Sequence, residues 1–370
     1  MATRTRAAAK AGMGPGVRHS PNRSNGEVPF IGLDVGYGYT KIVFEDGRRI
    51  TFPSLVAPVA VTSIDLGLSL SKSAVQVEGA DYVVGEEAVQ AGWRFREQYD
   101  GWWTSPTFKA LVAFAARHVP EGAHVFTGLP LHVYASAAAQ TQVAEVVRKG
   151  LRTNQVTVFP QGVGAYFAAI AAHPGSEEGR NAFVDIGMRT TEFVGMSNRQ
   201  FLSDLSCGKV LGVTELFARV AESLTHQHER TIDPYEVDLA IQGLRPIKVQ
   251  GDNLAQKVID ETIEPLLKPF AERILSEMSR LWGPGAPSFD RVIFCGGGAL
   301  ILKPYLSGFR GRVEFLRDSQ YANACGYLHF GRWVYQRTIT SNAVHHSQSE
   351  QDRQGESIQD EDMLRVGGTI

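Results

Sequence analysis

The sequence predicts an α/β protein made of two similar lobes that face a common cleft. A strand, a glycine-containing turn and a second strand are indicated at residues 30–44, and the same pattern returns at residues 182–194. Around both copies, segments with helical apolar spacing alternate with short apolar runs typical of buried strands. A repeat on this scale is too long for a solenoid and favours two related lobes, although two unrelated hairpins would also share an Asp-x-Gly turn.

Length and composition indicate a folded protein of more than one domain. The chain has 370 residues, of which 43% are hydrophobic and 21% are charged. Its longest aliphatic runs, such as residues 110–116, are far shorter than the roughly 20 residues of a membrane-spanning helix. A net charge of -2 provides no overall basic field for nucleic acid, and three widely spaced cysteines encode neither a disulfide framework nor a zinc site. We therefore expect a cytoplasmic protein with no membrane contact and no strong direct binding to nucleic acid.

The two ends of the chain differ in composition from its middle. Residues 1–26 contain five basic and no acidic side chains among Ala, Gly, Pro and Ser, which predicts a disordered basic tail, although an organelle transit peptide is also acid-poor and carries Arg. From about residue 338 the chain is polar again and predicts a second disordered tail. The predicted organisation is a basic tail at 1–27, lobe I at 28–175, lobe II at 176–325, a terminal helix at 326–337 that could return to lobe I, and a polar tail at 338–370.

The segments between and after the two hairpins alternate between helix and strand patterns. In the first lobe, apolar spacing predicts helices at 105–118, 133–149 and 163–172 and strands at 123–127 and 155–159. In the second lobe, it predicts strands at 201–205 and 291–294, a helix at 212–224 and a long helical stretch at 253–281. Pro265 and Pro269 lie inside this stretch and are expected to bend or split it.

An aspartate stands at the end of the first strand of each hairpin, Asp34 in the first copy and Asp185, 151 residues later, in the second. In duplicated lobes these carboxylates would face each other across the cleft, where two close anions are costly unless a cation lies between them. Mg²⁺ suits such a position, because it keeps several waters and is held by few carboxylates together with substrate phosphates. The pair therefore predicts a site for a nucleotide with its Mg²⁺ ion.

The residues after each aspartate fit the phosphates of such a nucleotide. Gly36, Gly38 and Gly187 lack Cβ atoms, so backbone N–H groups could surround phosphate oxygens, and Lys41 adds a positive charge. Taken singly, each residue has an ordinary explanation, since Asp-x-Gly is a common turn and a strand lysine is usually solvated. The conjunction of the two hairpins is what indicates a phosphate site.

Three motifs in order resemble those of the actin superfamily. Asp-x-Gly-x-Gly-x-x-Lys at 34–41, Asp-x-Gly with two threonines at 185–191 and a strand ending in three glycines at 292–298 are similar to its phosphate 1, phosphate 2 and adenosine motifs. Within the superfamily, the chain most resembles the bacterial actin-like ATPases of the ParM/StbA plasmid-segregation group, through stretches at 52–54, 82–88, 127–130 and 322–327. The resemblance implies duplicated actin-like, ribonuclease H-like lobes around a nucleotide cleft.

The resemblance also implies a role for each motif residue. Asp34 and Asp185 would act in catalysis by holding waters of the Mg²⁺ shell, and Gln161, between the hairpins, would orient the attacking water. A plain helix-end residue is the alternative for Gln161. Lys41 would neutralise phosphate charge. The other nucleotide-binding residues implied are Gly36, Tyr37, Gly38, Tyr39, Thr40, Gly187, Met188, Arg189, Thr190, Gly296, Gly297 and Gly298.

Three of these residues depart from the usual motifs. Met188 and Arg189 stand where the second phosphate hairpin normally has small or polar residues, and Tyr37 is bulky where a small hydroxyl residue is common. The backbone N–H groups of these residues could still donate to phosphate oxygens, because they do not depend on the identity of the side chain. Arg189 is expected to be either a phosphate contact or an outward-facing charge.

An actin-like ATPase of this group would bind ATP, or GTP, with Mg²⁺ and hydrolyse it to the diphosphate and phosphate. The resemblance implies that the nucleotide closes the lobes, that closed subunits stack head to tail into filaments, and that hydrolysis loosens them. It also implies plasmid or DNA segregation through a DNA-binding adaptor protein. Two alternatives share the fold: a sugar- or acetate-type kinase, and a nucleotide-gated cytoskeletal scaffold with little turnover. A chaperone-type ATPase would need a long peptide-binding region in place of the short polar tail.

One aromatic segment has two explanations. Trp93, Phe95, Tyr99, Trp102 and Trp103 lie close together in the sequence, and they would serve either a contact between filament subunits or the packing of the core. Their density on a segment that also bears Gly and Arg exceeds the ordinary need of a loop. Core packing is the more ordinary role of such side chains.

Overall fold

The structure is a computed structural model that describes residues 28–59, 73–90, 99, 101–172, 175, 177–307 and 312–335. The elements of the first part of the chain are β1 (Phe30–Val35), β2 (Tyr39–Phe44), β3 (Arg49–Pro53), β4 (Val56–Pro58), β5 (Ala74–Val77), β6 (Ala80–Val84), α1 (Glu86–Gln90), α2 (Pro106–Ala115), β7 (His124–Leu129), α3 (Leu131–Tyr134), α4 (Ala137–Leu151), β8 (Val156–Pro160) and α5 (Val163–Ala172). The second part contains β9 (Arg180–Ile186), β10 (Thr191–Ser197), β11 (Gln200–Phe201), β12 (Cys207–Lys209), α6 (Thr214–His228), α7 (Pro234–Ile241), β13 (Lys248–Val249), β14 (Asp252–Asn253), α8 (Gln256–Trp282), β15 (Arg291–Cys295), α9 (Gly297–Leu306), β16 (Val313–Phe315) and a last helix, α10, at 322–335.

Five strands form the first sheet, in the order β3-β2-β1-β7-β8. Neighbours among β1, β2 and β3 are antiparallel, whereas β1, β7 and β8 run parallel. Helices α2 and α4 bury apolar side chains with this sheet, as Leu111 and Val143 do against Leu33 and Ile42 in one core. A separate three-stranded sheet, β4-β6-β5, extends the first lobe and shares this core through Val75.

The second sheet repeats the arrangement of the first. Its order is β11-β10-β9-β15-β16, with β12 also paired to β10; β9 and β10 are antiparallel, and β9, β15 and β16 are parallel. The two hairpins have the same register, since Val35 lies opposite Thr40 in the first and Ile186 opposite Thr191 in the second. These pairs are related by the offset found in the sequence. The α/β fold of two similar lobes is therefore confirmed.

Helices α5 and α10 cross between the two sheets. α5 packs on the second sheet through Tyr166, whereas α10 packs on the first through Tyr327. Their backbones touch at the crossing, because a Cβ added to Gly326 would overlap the carbonyl oxygen of Gly164. Each of these helices thus packs on the sheet formed mainly by the other part of the chain, and the lobe boundary between residues 175 and 176 remains a prediction.

Helix α8 is continuous through Pro265 and Pro269, so it is not split there, and a bend at these residues stays a prediction. Both prolines are exposed and lie four residues apart, which places them on the solvent face of the helix. The carbonyl groups that lose an N–H partner, those of Glu261 and Pro265, can therefore bond to water. α8 has 27 residues and one apolar face, and no helix within the described ranges has the length and apolar character of a membrane span.

Two other predicted elements differ from those observed. The helix predicted at 133–149 is divided into α3 and α4, because Ser136 caps the second helix by accepting a hydrogen bond from the Ala139 amide. The strand predicted at 201–205 is reduced to β11, which is followed by a 3-10 turn at Ser203–Leu205. Both differences reflect local hydrogen bonding that apolar spacing does not report.

The described part of the aromatic segment divides between core and surface. Trp102 and Trp103 are 4% and 5% exposed and belong to the first core, which supports core packing for these two side chains. Tyr99 is 47% exposed. Trp93 and Phe95 lie outside the described residues.

Candidate functional site

A cleft of about 570 Å³ opens between the two sheets at the ends of the two hairpins. Both lobes line it, and it gathers all but one of the residues that the sequence assigned to a nucleotide site. Those residues are Asp34, Gly36, Tyr37, Gly38, Tyr39, Lys41, Gln161, Asp185, Gly187, Met188, Arg189, Thr190, Gly296, Gly297 and Gly298. The cleft is also lined by side chains from α7, α8 and α9, for which the motifs gave no indication.

Thr40 is the exception, and its side chain points away from the cleft. The residue is fully buried, and its Oγ1 lies 3.0 Å from Ser54 Oγ. Side chains alternate between the two faces of a strand, so Tyr39 and Lys41 reach the cleft while Thr40 does not. The expectation that Thr40 contributes to phosphate binding is therefore not supported by its side chain.

Asp34 lies at the end of β1 and is 5% exposed. Lys41, its partner on the facing strand, holds Nζ 3.0 Å from Asp34 Oδ2. Gln161 follows β8, where its amide donates to Leu129 O at 2.7 Å, and its side-chain Nε2 lies 3.4 Å from Asp34 Oδ1. A carboxylate from β1, an ammonium group from β2 and a carboxamide from the residue that follows β8 therefore meet at one end of the first sheet.

Asp185 occupies the matching position in the second lobe and is buried. Burial raises the pKa of Asp185 to about 6, while a hydrogen bond of 2.7 Å from Asn323 Nδ2 opposes the rise and the nearby charge of Asp34 adds to it. The two hairpin carboxylates thus interact across one cleft. A cation bound between them would oppose the rise in the pKa of Asp185.

Glycine is required where the backbone approaches the carboxylates and the opposite lobe. Gly296 has φ +83°, and a Cβ there would overlap Asp185 Oδ1. A Cβ on Gly38 would overlap the Met188 side chain across the cleft. The amide of Gly187 bonds to Thr190 O at 2.8 Å, just as Gly36 bonds to Tyr39 O in the first hairpin. These two amides therefore close the turns instead of facing a ligand.

Asn323 is a site residue that the sequence analysis missed. Its Nδ2 donates to Asp185, and its Oδ1 accepts a hydrogen bond of 3.0 Å from the Gly162 amide. One side chain on α10 thus fixes both the second carboxylate and the turn that follows Gln161. The residue lies in the 322–327 stretch noted for its resemblance, but nothing in its local pattern indicated this contact.

Tyr39, Asp238 and Gln242 bridge the two lobes over the cleft. Tyr39 OH donates to Asp238 Oδ2 at 2.8 Å, and Gln242 Nε2 lies 2.7 Å from Asp238 Oδ1 and 3.0 Å from Tyr39 OH. Burial and the Asp238 charge raise the pKa of the Tyr39 phenol far above its usual range, so it remains a donor. Neither Asp238 of α7 nor Gln242, which caps its carboxyl end, was predicted, because each looks like an ordinary polar position of an amphipathic helix.

Glu192 is a buried acid beside the site. It lies opposite Asp185 in the second hairpin, at the repeat position that Lys41 occupies in the first. Its Oε2 accepts a hydrogen bond of 3.2 Å from the Leu131 amide, so it connects the two lobes. Burial, reinforced by the charge of Asp185, raises the pKa of Glu192 to about 8. The residue is therefore protonated at neutral pH.

We expect the protonated Glu192 to make stability depend on pH. The folded chain keeps this proton up to about pH 8, whereas the unfolded chain releases it near the ordinary pKa of 4.5. The free energy of unfolding should therefore fall as pH rises between these values, by up to about 1.4 kcal/mol per pH unit. Glu192→Gln should flatten this decline in urea titrations at several pH values, and the exposed control Glu121→Gln should not. Identical slopes for Glu192→Gln and the unmodified chain would contradict the assignment.

One sequence relative and two solved structures are similar to this chain. An archaeal actin homolog from Thermoplasma volcanium is 26% identical over 327 residues, covering 80% of this chain and 97% of that protein. The 15-stranded ParM filament from Clostridium botulinum has a TM-score of 0.66 at 23% identity, covering 83% of this chain and 99% of that chain. An archaeal actin homolog in complex with ADP has a TM-score of 0.62 at 21% identity, covering 82% of this chain and 99% of that chain. These solved structures establish the fold.

Two family profiles match successive parts of the chain. "Actin like proteins N terminal domain" matches residues 32–164, which include the first hairpin and Gln161. "Archaeal actin homologue MreB-like, C-terminal" matches residues 183–308, which include the second hairpin and the three glycines. Together the matches cover more than two thirds of the sequence, in the order of the two lobes. The chain therefore belongs to the family of actin-like proteins.

Proposed function

We propose that this chain binds a nucleoside triphosphate with Mg²⁺ in the cleft and hydrolyses its terminal phosphate. The observation that carries the proposal is the meeting of Asp34 and Asp185, one from each hairpin, in one cleft with Lys41 and Gln161. Fold similarity to an archaeal actin homolog crystallised with ADP supports a nucleotide as the ligand. We propose ATP as the substrate, with GTP as the competing nucleotide to be tested.

The donor set of the cleft fits Mg²⁺. Two carboxylates interact there, and within the described residues no group of three or more His, Cys, Asp or Glu side chains could hold a metal ion by itself. An ion at this place would therefore keep water and phosphate ligands, which is the coordination that Mg²⁺ favours. Asp34 and Asp185 would hold it through those waters. When bound, Mg²⁺ would offset the negative charge of the phosphates.

The side chains of the chain itself would supply positioning and charge. Gln161 can orient a water with its carboxamide, whose Nε2 is already directed at Asp34. Lys41 would bring a positive charge to the phosphates from the first hairpin. Phosphoryl transfer to water needs little covalent help from protein, so an oriented water and balanced charge are sufficient for the chemistry proposed.

Gln161→Ala should slow phosphate release by about 100-fold, because the attacking water would lose its orienting group. Nucleotide binding and assembly should persist, since the substitution leaves both carboxylates and Lys41 in place. Phosphate release and sedimentation measured on the same samples separate these effects. Gln200→Ala, at an exposed position, serves as the control. A normal turnover rate in Gln161→Ala would show that the role assigned to Gln161 is wrong.

We further propose that the nucleotide-bound chain assembles into filaments with other copies of itself. Fold similarity to a ParM filament supports this step, and similarity to that group leads us to propose DNA or plasmid segregation through a DNA-binding adaptor protein.

The test of assembly is sedimentation and light scattering with Mg²⁺ and ATP, with Mg²⁺ and a non-hydrolysable analogue, or with no nucleotide. Filaments with the analogue that decay once ATP is consumed would support the proposal. Phosphate transfer only to a small-molecule acceptor would contradict the proposal and favour the kinase. Assembly without turnover would contradict it and favour the nucleotide-gated scaffold.

A further inference from the structure

The turn of the second hairpin is hydrogen bonded to the start of helix α6. The amide of Val213 donates to Gly187 O at 3.1 Å, and the amide of Thr214 donates to Met188 O at 2.9 Å. Gly187 and Met188 both line the cleft. The backbone of this turn is therefore held by a segment that lies outside the hairpin.

The same bonds complete the amino end of α6. Val213 stands at the N-cap position, where no side chain caps the helix. The first N–H groups of a helix have no partner within it, so they need acceptors from elsewhere. Gly187 O and Met188 O supply two such acceptors. The turn and the helix therefore satisfy each other's backbone groups, and a shift of either would break these bonds.

Thr191 binds the same segment through its side chain. It is the first residue of β10 and is fully buried, and its Oγ1 donates to Leu211 O at 2.5 Å. The first hairpin has a similar arrangement, in which Thr40 Oγ1 lies 3.0 Å from Ser54 Oγ and the Ser54 amide donates to Gly38 O at 2.9 Å. The two threonines that correspond in the repeat thus each contact a segment that also bonds to the turn.

Gly212 allows residues 211–214 to lie against the turn. A Cβ on Gly212 would overlap Met188 O and the carbonyl carbon of Arg189. Both atoms belong to the backbone, so no change of side-chain rotamer could relieve the overlap. The φ of Gly212 is not in the left-handed region, so the close approach alone requires glycine at this position.

The bonded carbonyls fix the direction of two N–H groups of the turn. A trans peptide is planar, and its N–H points away from its C=O. The peptides that carry Gly187 O and Met188 O also carry the amides of Met188 and Arg189, which therefore point away from the donors of residues 213 and 214. This direction matters to a phosphate, because backbone N–H groups bind an oxyanion only where they are aimed at it.

We propose that Thr191 and Gly212 are positioning residues for phosphate binding, which keep residues 211–214 against the second turn so that the amides of Met188 and Arg189 are presented to the phosphates. This inference rests on the proposed function, because it requires a nucleotide in the cleft. It gives the second threonine of the motif at 185–191 a role that acts through the backbone, without contact between its side chain and the phosphates.

The test is titration calorimetry of a non-hydrolysable ATP analogue with Mg²⁺ into variants of Thr191. Thr191→Val keeps the shape of the side chain but removes the hydroxyl, so Leu211 O loses its donor. Analogue binding should weaken by about 10-fold, the effect of losing one hydrogen bond that orders the turn. Thr191→Ser restores the donor and should bind the analogue within about threefold of the unmodified chain.

Thr153→Val is the matched control for loss of stability. Thr153 is also buried, and its Oγ1 donates to a backbone carbonyl, Ala123 O, in the first lobe. In denaturant titrations this variant should lose about as much stability as Thr191→Val, because each leaves a buried carbonyl without its donor. Its binding of the analogue should stay unchanged.

Gly212→Ala perturbs the contact between residues 211–214 and the turn directly. It should weaken analogue binding by about 30-fold, because the overlap can be relieved only by moving the backbone of one of them. Val210→Ala, at a 63% exposed position of the same loop, is the control and should change neither binding nor stability. If Gly212→Ala does not fold, the Thr191 variants and Thr153→Val decide.

Three results would overturn the inference. They are near-normal analogue binding in folded Thr191→Val or Gly212→Ala, binding in Thr191→Ser as weak as in Thr191→Val, and an equal weakening in Thr153→Val, which would mean that lost stability is the whole effect. In each case the unmodified chain would still bind the analogue, so the proposed function would stand. If the unmodified chain binds no nucleotide, the proposed function fails and this inference fails with it.

Discussion

Asp185→Ala should reduce ATP hydrolysis by at least about 1,000-fold. Asp185 is one of two carboxylates that interact across the cleft, and its Oδ2 is fixed by Asn323. Without it, the Mg²⁺ shell would be held from one lobe only, and the phosphates would lose alignment with the water at Gln161. Phosphate release at saturating Mg²⁺ and ATP is the measurement.

The Asp185→Ala result needs a control for folding and for charge. The substitution removes a buried acid whose pKa is raised, so it should not unfold the nucleotide-free chain, which denaturant titration can verify. Asp252→Ala removes an exposed aspartate from β14 and should leave hydrolysis unchanged. If Asp185→Ala hydrolysed ATP within tenfold of the normal rate, the carboxylate pair would not be the catalytic centre.

Gly326→Ala should lower the free energy of unfolding by about 3 kcal/mol. The added Cβ would overlap the backbone of Gly164, so α5 and α10 would have to move apart. Helix propensity alone predicts the opposite sign, since alanine stabilises a helix interior by about 1 kcal/mol relative to glycine. We expect the overlap at the crossing of α5 and α10 to outweigh the gain in helix propensity, so the net effect is a loss of stability. Denaturant unfolding of the variant measures it.

His329→Ala, one helical turn further along α10 at an exposed position, is the matched control and should change stability little. The crossing also carries Asn323, so displaced helices should weaken the contact with Asp185 and slow hydrolysis in molecules that remain folded. An unchanged or increased free energy of unfolding in Gly326→Ala would show that the helices have room to separate at no cost.

The parts of the fold and site that the sequence predicted well are those encoded locally. Each hairpin is a continuous stretch whose branched residues and glycines specify strands and a turn, and its repetition revealed the second lobe. The sequence could also have predicted that the Thr40 side chain faces away from the cleft, because side chains alternate along a strand and Tyr39 and Lys41 lie on the opposite face from Thr40. Local sequence patterns therefore identified most of the residues that line the hairpin end of the cleft.

The parts that were missed depend on contacts between distant segments. Asp238 meets Tyr39 from a helix 199 residues away, and Asn323 reaches Asp185 from a helix 138 residues away. Both look like ordinary polar helix positions until the lobes are assembled. Pro265 and Pro269 do not split α8 for a related reason, since the effect of a proline depends on which face of the helix meets solvent.

The most direct measurement is calorimetric titration of ATP into the unmodified chain and into the double variant Asp34→Asn, Asp185→Asn, each with Mg²⁺ and with a chelator. We predict one site per chain in the unmodified protein, with an affinity that collapses when Mg²⁺ is removed. In the double variant the remaining affinity should no longer respond to Mg²⁺. An unmodified chain that binds no nucleotide, or a double variant that keeps full dependence on Mg²⁺, would contradict the account.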